Sequence, residues 1–417
     1  MAILLSFLCV AGTAEFNARL DTFPIGFWNY ASIEVFDEAK IQEWQDAGIT
    51  LTMGPEYSVT PENVARMQQI LDWSDKRGIK VIVCDPRAQS RTPLPGDFVQ
   101  QAADAAKDFA GHHATFGFHI LDEPSKDDFQ SCCDAVRAVK QAAPDRSPFV
   151  NLLPWHMGAT GRVGYDDWGT YLDDFVQKSG IEFLCYDCYS QMNPGKTGWG
   201  MYFRNLREYG AAARRANIPF WTTILSVGHF NYRCPSEDDI RWQFNSSVAY
   251  GAQGILYFFF YMRNPHDNYR LSPVDEFWDR TPVFESLKRT NKGFTKRYGR
   301  LFLDLQLVKA MQFPEPIEGC EPFAADDLFV KAESTCPLIV SRFVDLQARP
   351  WVAVVNNTVD TNTNATLTFR GANTTAYEMN WENKETAAGV RKEEGGVSVS
   401  HWLAPGQMQV YRVDVKE

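Results

Sequence analysis

Eight short apolar runs, each followed by an amphipathic stretch, govern what this chain can fold into. They read FPIGFW from Phe23, ITLTMG from Ile49, KVIVCD from Lys80, FGFHIL from Phe116, FVNLLP from Phe149, EFLCYD from Glu182, FWTTIL from Phe220 and GILYFFF from Gly254. Their starts recur at intervals of roughly 25 to 40 residues, the length of a strand, a helix and two loops in a parallel βα unit. Eight such units predict a (β/α)8 barrel over residues 15–300. Helix punctuation agrees. Thr60-Pro61 and Thr281-Pro282 each offer an N-cap followed by Pro at the first helical position, and Gly78, Gly180 and Gly251 stand where helices should stop. A doubly wound open sheet would alternate in the same way, but it carries a glycine-rich phosphate turn after its first strand, where this chain has Trp28-Asn29-Tyr30.

Beyond Gly299 the pattern changes to period-two strands with turn-rich joints: LFVKAES, LIVSRFV, WVAVVNN, ATLTFRG, VSVSHWL and MQVYRVD. These predict an antiparallel β-sandwich over residues 301–417. A chain of 417 residues exceeds the size at which one core keeps growing, so two domains are expected. The Asn- and Thr-rich stretch from Asn356 to Thr375 reads as a solvated edge or loop, and it holds the sequons Asn356, Asn364 and Asn373; a fourth, Asn245, lies in the barrel. Residues 1–14, MAILLSFLCVAGTA, form a short apolar run ending in small residues, as a signal peptide clipped at its start would, and imply a secreted or periplasmic protein. Removing Cys9 leaves eight cysteines, an even number that permits disulfides, with Cys320 and Cys336 the expected pair. Cys185 and Cys188 sit in a strand-like run where residues three apart face opposite sides, and Cys132 and Cys133 in a helical one.

The net charge of −11, with no Lys/Arg cluster, argues against nucleic acid and anionic membrane as partners and for a neutral substrate. No segment is long and apolar enough to span a bilayer. No HExxH, Asp-rich calcium loop, P-loop or GxSxG elbow is present, so neither metal, cofactor nor serine chemistry is expected. Oligomeric state leaves no mark in the sequence.

Barrel enzymes carry their reacting groups at the C-terminal ends of strands. The fourth run ends in Asp122-Glu123-Pro124, two carboxylates after an apolar strand, a setting that raises a carboxyl pKa and suits a proton donor to a leaving oxygen. Glu123 is therefore the expected general acid, with Asp122 tuning it. Such a donor usually works with a second carboxyl group that activates water or stabilises developing positive charge, and Asp187, in alternation with Cys185 and Tyr189, is the leading candidate; Glu56 and Asp85 occupy equivalent strand ends. Aromatic residues follow several strands, namely Trp28, Tyr30, Tyr57, Trp155, Tyr189 and Tyr261, as rings that stack on sugar faces would. His156 and His229 are further candidates for substrate contact.

The Glu-Pro pair resembles the Asn-Glu-Pro signature of the large retaining glycosidase clan that includes family 42 β-galactosidases and cellulases, with Asp122 where the clan has Asn. Bacterial barrel proteins classed among glycoside hydrolases carry Asp-Glu-Pro, then Asn-Leu-Leu-Pro, then Tyr-Asp-x-Tyr. This chain is similar at Asn151-Leu152-Leu153-Pro154 and Tyr186-Asp187-Cys188-Tyr189, and the resemblance adds Asn151 to the expected substrate-binding residues. It implies a secreted hydrolase acting on O-glycosidic bonds of an oligo- or polysaccharide. The clan's nucleophile is a Glu ending strand seven, whereas this chain reads Trp221-Thr222-Thr223-Ile224-Leu225-Ser226-Val227-Gly228-His229. Two alternatives follow: a barrel that binds carbohydrate without cleaving it, and a hexosaminidase using substrate assistance, whose adjacent Asp and Glu need no nucleophile.

Overall fold

The structure, a computed structural model, describes residues 11–263 and 268–416. All eight anticipated parallel strands form: β1 (Ile25–Phe27), β2 (Leu51–Met53), β3 (Lys80–Val83), β4 (Thr115–Asp122), β5 (Ser147–Asn151), β6 (Leu184–Asp187), β7 (Phe220–Leu225) and β8 (Ile255–Phe258). They make two four-stranded parallel sheets in the orders β2-β3-β4-β5 and β1-β8-β7-β6. Hydrogen bonds join the sheets at both seams. Thr50 N donates to Ile25 O at 2.9 Å, while the Thr50 and Thr52 hydroxyls accept from Ile25 N and Phe27 N at 2.9 and 3.0 Å. At the other seam Leu152 N donates to Cys185 O at 2.8 Å. Gly26 permits the first approach, since a Cβ there would lie 2.0 Å from Leu51 O.

Local chemistry explains the helices between strands. Thr60 and Thr281 accept from Asn63 N and Val283 N, each followed by Pro, and Ser236 with Asp239 forms a capping box. Gly180 ends its helix in the left-handed region at φ 69°, where a side chain would be strained. The helix Ala11–Ala18 lies beneath the strands, with Phe16 tucked against Phe116, Phe183 and Trp221 at 6.2, 5.3 and 6.3 Å between ring centroids. The start of the anticipated signal segment, with Cys9, lies outside the described residues; its end, from Ala11, opens this helix.

The C-terminal part is antiparallel apart from one short pair. Its strands are β9 (Gln306–Phe313), β10 (Glu321–Pro322), β11 (Phe329–Glu333), β12 (Leu338–Val344), β13 (Pro350–Asn356), β14 (Thr363–Arg370), β15 (Thr375–Met379), β16 (Glu385–Ala387), β17 (Arg391–Glu393), β18 (Gly396–Leu403) and β19 (Met408–Asp414). The sheet orders are β10-β9-β12-β13-β19-β15-β16 and β11-β14-β18-β17. Both faces of the larger sheet are apolar. Ile339, Phe343, Trp351, Val355 and Val410 join the core of the parallel sheets, whereas Leu338, Val340, Val352, Val354 and Val413 pack with Phe369, Val397 and Val399 of the smaller sheet. Helix Glu237–Ala249 fixes the junction through Trp242 Nε1 to Asn357 Oδ1 and Asn245 Nδ2 to Gly406 O, both at 2.8 Å.

Two expectations are corrected here. None of the eight described cysteines is disulfide-bonded. Cys320 is buried beside Tyr250 and Arg207, while the Cys336 thiol points at Asn362 O, 3.6 Å away. The Asn/Thr-rich stretch is not wholly a solvated edge or loop either, because residues 363–370 of it form β14, paired on both sides. Its sequons differ in environment: Asn364 is exposed, but Asn356 is buried with its amide spent on Thr361, Leu403 and Ala404 carbonyls.

Phe16→Ala should lower stability by about 3–5 kcal/mol, because the cavity opens under a packed aromatic cluster. Urea unfolding followed by tryptophan fluorescence would show it as a lower midpoint at an unchanged slope.

Candidate functional site

The C-terminal ends of β4, β5 and β6 bring three carboxyl groups and one amide together. Asn151, closing β5, donates through Nδ2 to Asp122 Oδ1 at 3.0 Å and to Asp187 Oδ1 at 2.9 Å. The two acceptor oxygens thus lie no farther apart than these two bonds laid end to end. A β-bulge near Ile120 in β4 shifts the register so that Asp122 pairs with Asn151. Glu123 follows with φ 46°, in the left-handed region, and its N–H donates to Asn151 O at 2.8 Å. A non-glycine residue held there is strained, and such strain gathers at functional sites.

Electrostatics divide the three acids. Asp122 keeps an exposed face, yet protein surrounds most of it, and burial pushes its pKa up from 3.8 to about 6; Glu123 and Glu56 add to the rise, against the Asn151 hydrogen bond and Arg162. Asp187 is raised well above 3.8 by burial first and then by Glu123 and Asp122, with Asn151 again opposing. Glu123 departs from the expected apolar isolation: Arg162 Nη2 donates to its Oε2 at 3.1 Å. Burial first, and then neighbouring like charges, favour the protonated form of Asp187 and Asp122, and no guanidinium is hydrogen-bonded to either among the described residues.

Aromatic side chains stand beside these acids. Tyr189 stacks on Phe258 with centroids 5.0 Å apart and meets Tyr232 edge-on at 5.9 Å. Burial, followed by Asp187, holds the Tyr189 phenol well above its ordinary pKa. Burial, followed by Asp122 and more weakly Asp187, raises the Tyr30 phenol, and Arg263 covers its ring at 4.3 Å. His229 stacks on Tyr269 at 4.9 Å and packs beside Phe258 at 5.5 Å. Phe230 is 61% exposed at this edge.

Other sequence candidates lie elsewhere. Trp28 is buried, edge-on to His119 at 5.5 Å, and belongs to the core. Tyr261 is also core: its hydroxyl accepts from Trp44 Nε1 at 2.9 Å, and its ring packs on Phe27, Phe36 and Phe260. Trp155 is turned aside, because Asn205 grips its backbone and Arg204 lies 3.4 Å over its ring, in a separate pocket of about 450 Å³ bordered by Glu318 and Gly319. Asp85 is consumed by Tyr57 and by the backbone and guanidinium of Arg87, leaving it no free role. Glu56 is exposed at the end of β2, close enough to raise Asp122. His156 is half-buried, its Nδ1 3.1 Å from Met157 O. Sequence reasoning missed Arg162, Tyr232, Phe258 and Tyr269; only Phe258, in the aromatic run closing β8, carried a local signal. No cluster of three or more His, Cys, Asp or Glu among the described residues is arranged to hold a metal ion, and no described helix is long and apolar enough to cross a membrane.

No protein-family model and no curated protein matches the sequence. Solved structures do match the fold. The chain is similar to a family 5 glycoside hydrolase from Bacteroides vulgatus ATCC 8482, with TM-score 0.60, 13% identity and coverage of 94% of this chain and 89% of that one. It is likewise similar to a further glycoside hydrolase, with TM-score 0.59, 12% identity and coverage of 94% and 93%. A family 39 glycoside hydrolase from the gut symbiont Bacteroides cellulosilyticus WH2 gives TM-score 0.51, 12% identity and coverage of 97% and 82%. At such identities the likeness is one of fold.

Between pH 3.8 and about 6 the folded protein binds the Asp122 proton more than the unfolded chain does, so this carboxyl withdraws stability as pH rises through that window. Asp122→Asn should therefore leave Tm unchanged near pH 3.5 and raise it, on the order of 2 °C, at pH 7. Calorimetry at both values checks the sign. Asn151→Ala removes the donor that favours both charged forms, so any activity that needs Asp122 or Asp187 ionised should move to higher pH.

Proposed function

We propose that this protein is a secreted glycoside hydrolase that cleaves O-glycosidic bonds of an oligo- or polysaccharide by carboxyl chemistry, with Glu123 and Asp187 as its reacting pair and Asp122 in support. The observation that carries this reading is the convergence of the Asp122 and Asp187 carboxyl groups on the Asn151 amide at the strand ends, with Glu123 next in the chain and bonded to Asn151 through its backbone N–H. A fold similar to solved glycoside hydrolases and an aromatic wall suited to sugar faces support it. The two bonded seams support one closed (β/α)8 barrel over about residues 15–300, followed by a sandwich domain from about 301. The motif order supports the Asp-Glu-Pro variant of the clan that includes family 42 β-galactosidases.

One observation favours a second reading, a barrel that binds carbohydrate without cleaving it. The loop after β7 runs Ser226-Val227-Gly228-His229, with no acid where that clan has its nucleophile. Incubation of the purified protein with plant, algal and host glycans, read by chromatography of released sugars, separates the two. Products that vanish or fall about 10²–10⁴-fold in Glu123→Gln, with the circular dichroism spectrum unchanged, are the expected result. Binding without products would favour the second reading.

A further inference from the structure

The empty place after β7 raises the question of which group attacks the sugar. In the described residues it is answered by how each acid is held. A guanidinium has only donors to offer, so the Glu123 oxygen that Arg162 faces must accept, as a carboxylate does. Both side chains of this pair keep contact with solvent, at 48% for Arg162 and 29% for Glu123. The backbone of Arg162 is fixed as well, its carbonyl accepting from Lys126 N at 2.9 Å. Asp187 has the opposite environment. It lies beside two other carboxyls, accepts a single side-chain hydrogen bond from Asn151, and meets no cation among the described residues. A group crowded by like charges keeps a proton to give. The Asp122 and Asp187 oxygens share one amide nitrogen, so these two acids lie closer together than the 6.5–9.5 Å or so that an interposed water needs, and Glu123, next in the chain after Asp122, is near enough to raise Asp187.

Resting on the hydrolase reading above, we propose that the roles are exchanged relative to the clan it resembles: Glu123, held by Arg162, is the nucleophile, and Asp187, on β6, is the general acid/base. In the first step a Glu123 oxygen bonds the anomeric carbon as the bond from that carbon to the leaving oxygen breaks, and the leaving oxygen takes the Asp187 proton. In the second step water bonds the anomeric carbon as the ester bond from that carbon to Glu123 breaks, and the water gives a proton to the Asp187 carboxylate, restoring the Glu123 carboxylate and the Asp187 acid. Arg162 is a positioning residue, acting through Glu123.

The test uses the full-length protein and 2,4-dinitrophenyl glycosides of the sugar identified by the glycan panel, whose leaving group needs no proton. Asp187→Ala should lose about 10²–10⁴-fold on natural substrates, yet still release dinitrophenol in a burst, with azide restoring turnover. Glu123→Ala should release none. The matching 2-deoxy-2-fluoro glycoside should label wild-type protein on the peptide that holds Glu123, and Arg162→Met should move the acid limb of kcat/KM to higher pH, with Arg162→Lys restoring part of the shift. Label on Asp187 or Asp122, dinitrophenol release by Glu123→Ala but not Asp187→Ala, or hydrolysis with inversion at the anomeric carbon would overturn the assignment while leaving a hydrolase. A protein that cleaves no glycoside and takes no label would overturn both.

Discussion

One side-chain amide, that of Asn151, ties together the acids that close two neighbouring strands. Its two hydrogens reach carboxylates on the strands to either side, β4 and β6. Without such a donor the two acids would meet only repulsion. With it they sit close, each raised above its ordinary pKa and each partly stabilised as an anion. A parallel sheet makes this possible, because neighbouring strands end at one edge and their last side chains project into the same space.

The scaffold keeps that edge in register. The helix Ala11–Ala18 fills the far end of the strands with Phe16, while the larger antiparallel sheet buries one face against the helices and the other against its partner sheet. Period two explains the second arrangement: odd-numbered residues of β13 enter one core and even-numbered ones the other. The sandwich is thus wedded to the parallel sheets by apolar contact and by Trp242 and Asn245, and the strained backbone at Glu123 is offset by packing elsewhere.

Much of this was legible in the chain. Strand positions and helix ends are set within a few residues of their own cause, such as Thr60 before Pro61 or Gly180 after a helix. Asp122, Asn151 and Asp187 were legible too, since each closes an apolar run. The aromatic residues were not. Trp28, Tyr30 and Tyr261 all follow strands, yet only Tyr30 faces the acids, because the direction of a loop side chain depends on what packs behind it: His119 for Trp28, Trp44 for Tyr261. The pairing of Cys320 with Cys336 failed for a similar reason, since an even count says nothing of the distance between thiols. Strand β9 was missed because it is half-covered on both faces at the junction and shows no clean alternation.

The sequence by itself determined the eightfold βα rhythm, the change to antiparallel strands and the acids that close β4 and β6, because these follow from periodicity and turn chemistry acting over a dozen residues. Only the tertiary structure decided that Arg162, 39 positions from Glu123, becomes its ion partner, that one amide ties Asp122 to Asp187, and which rings stand beside the acids. Those are meetings between distant parts of the chain, and burial and charge at such meetings exist only once the strands have assembled.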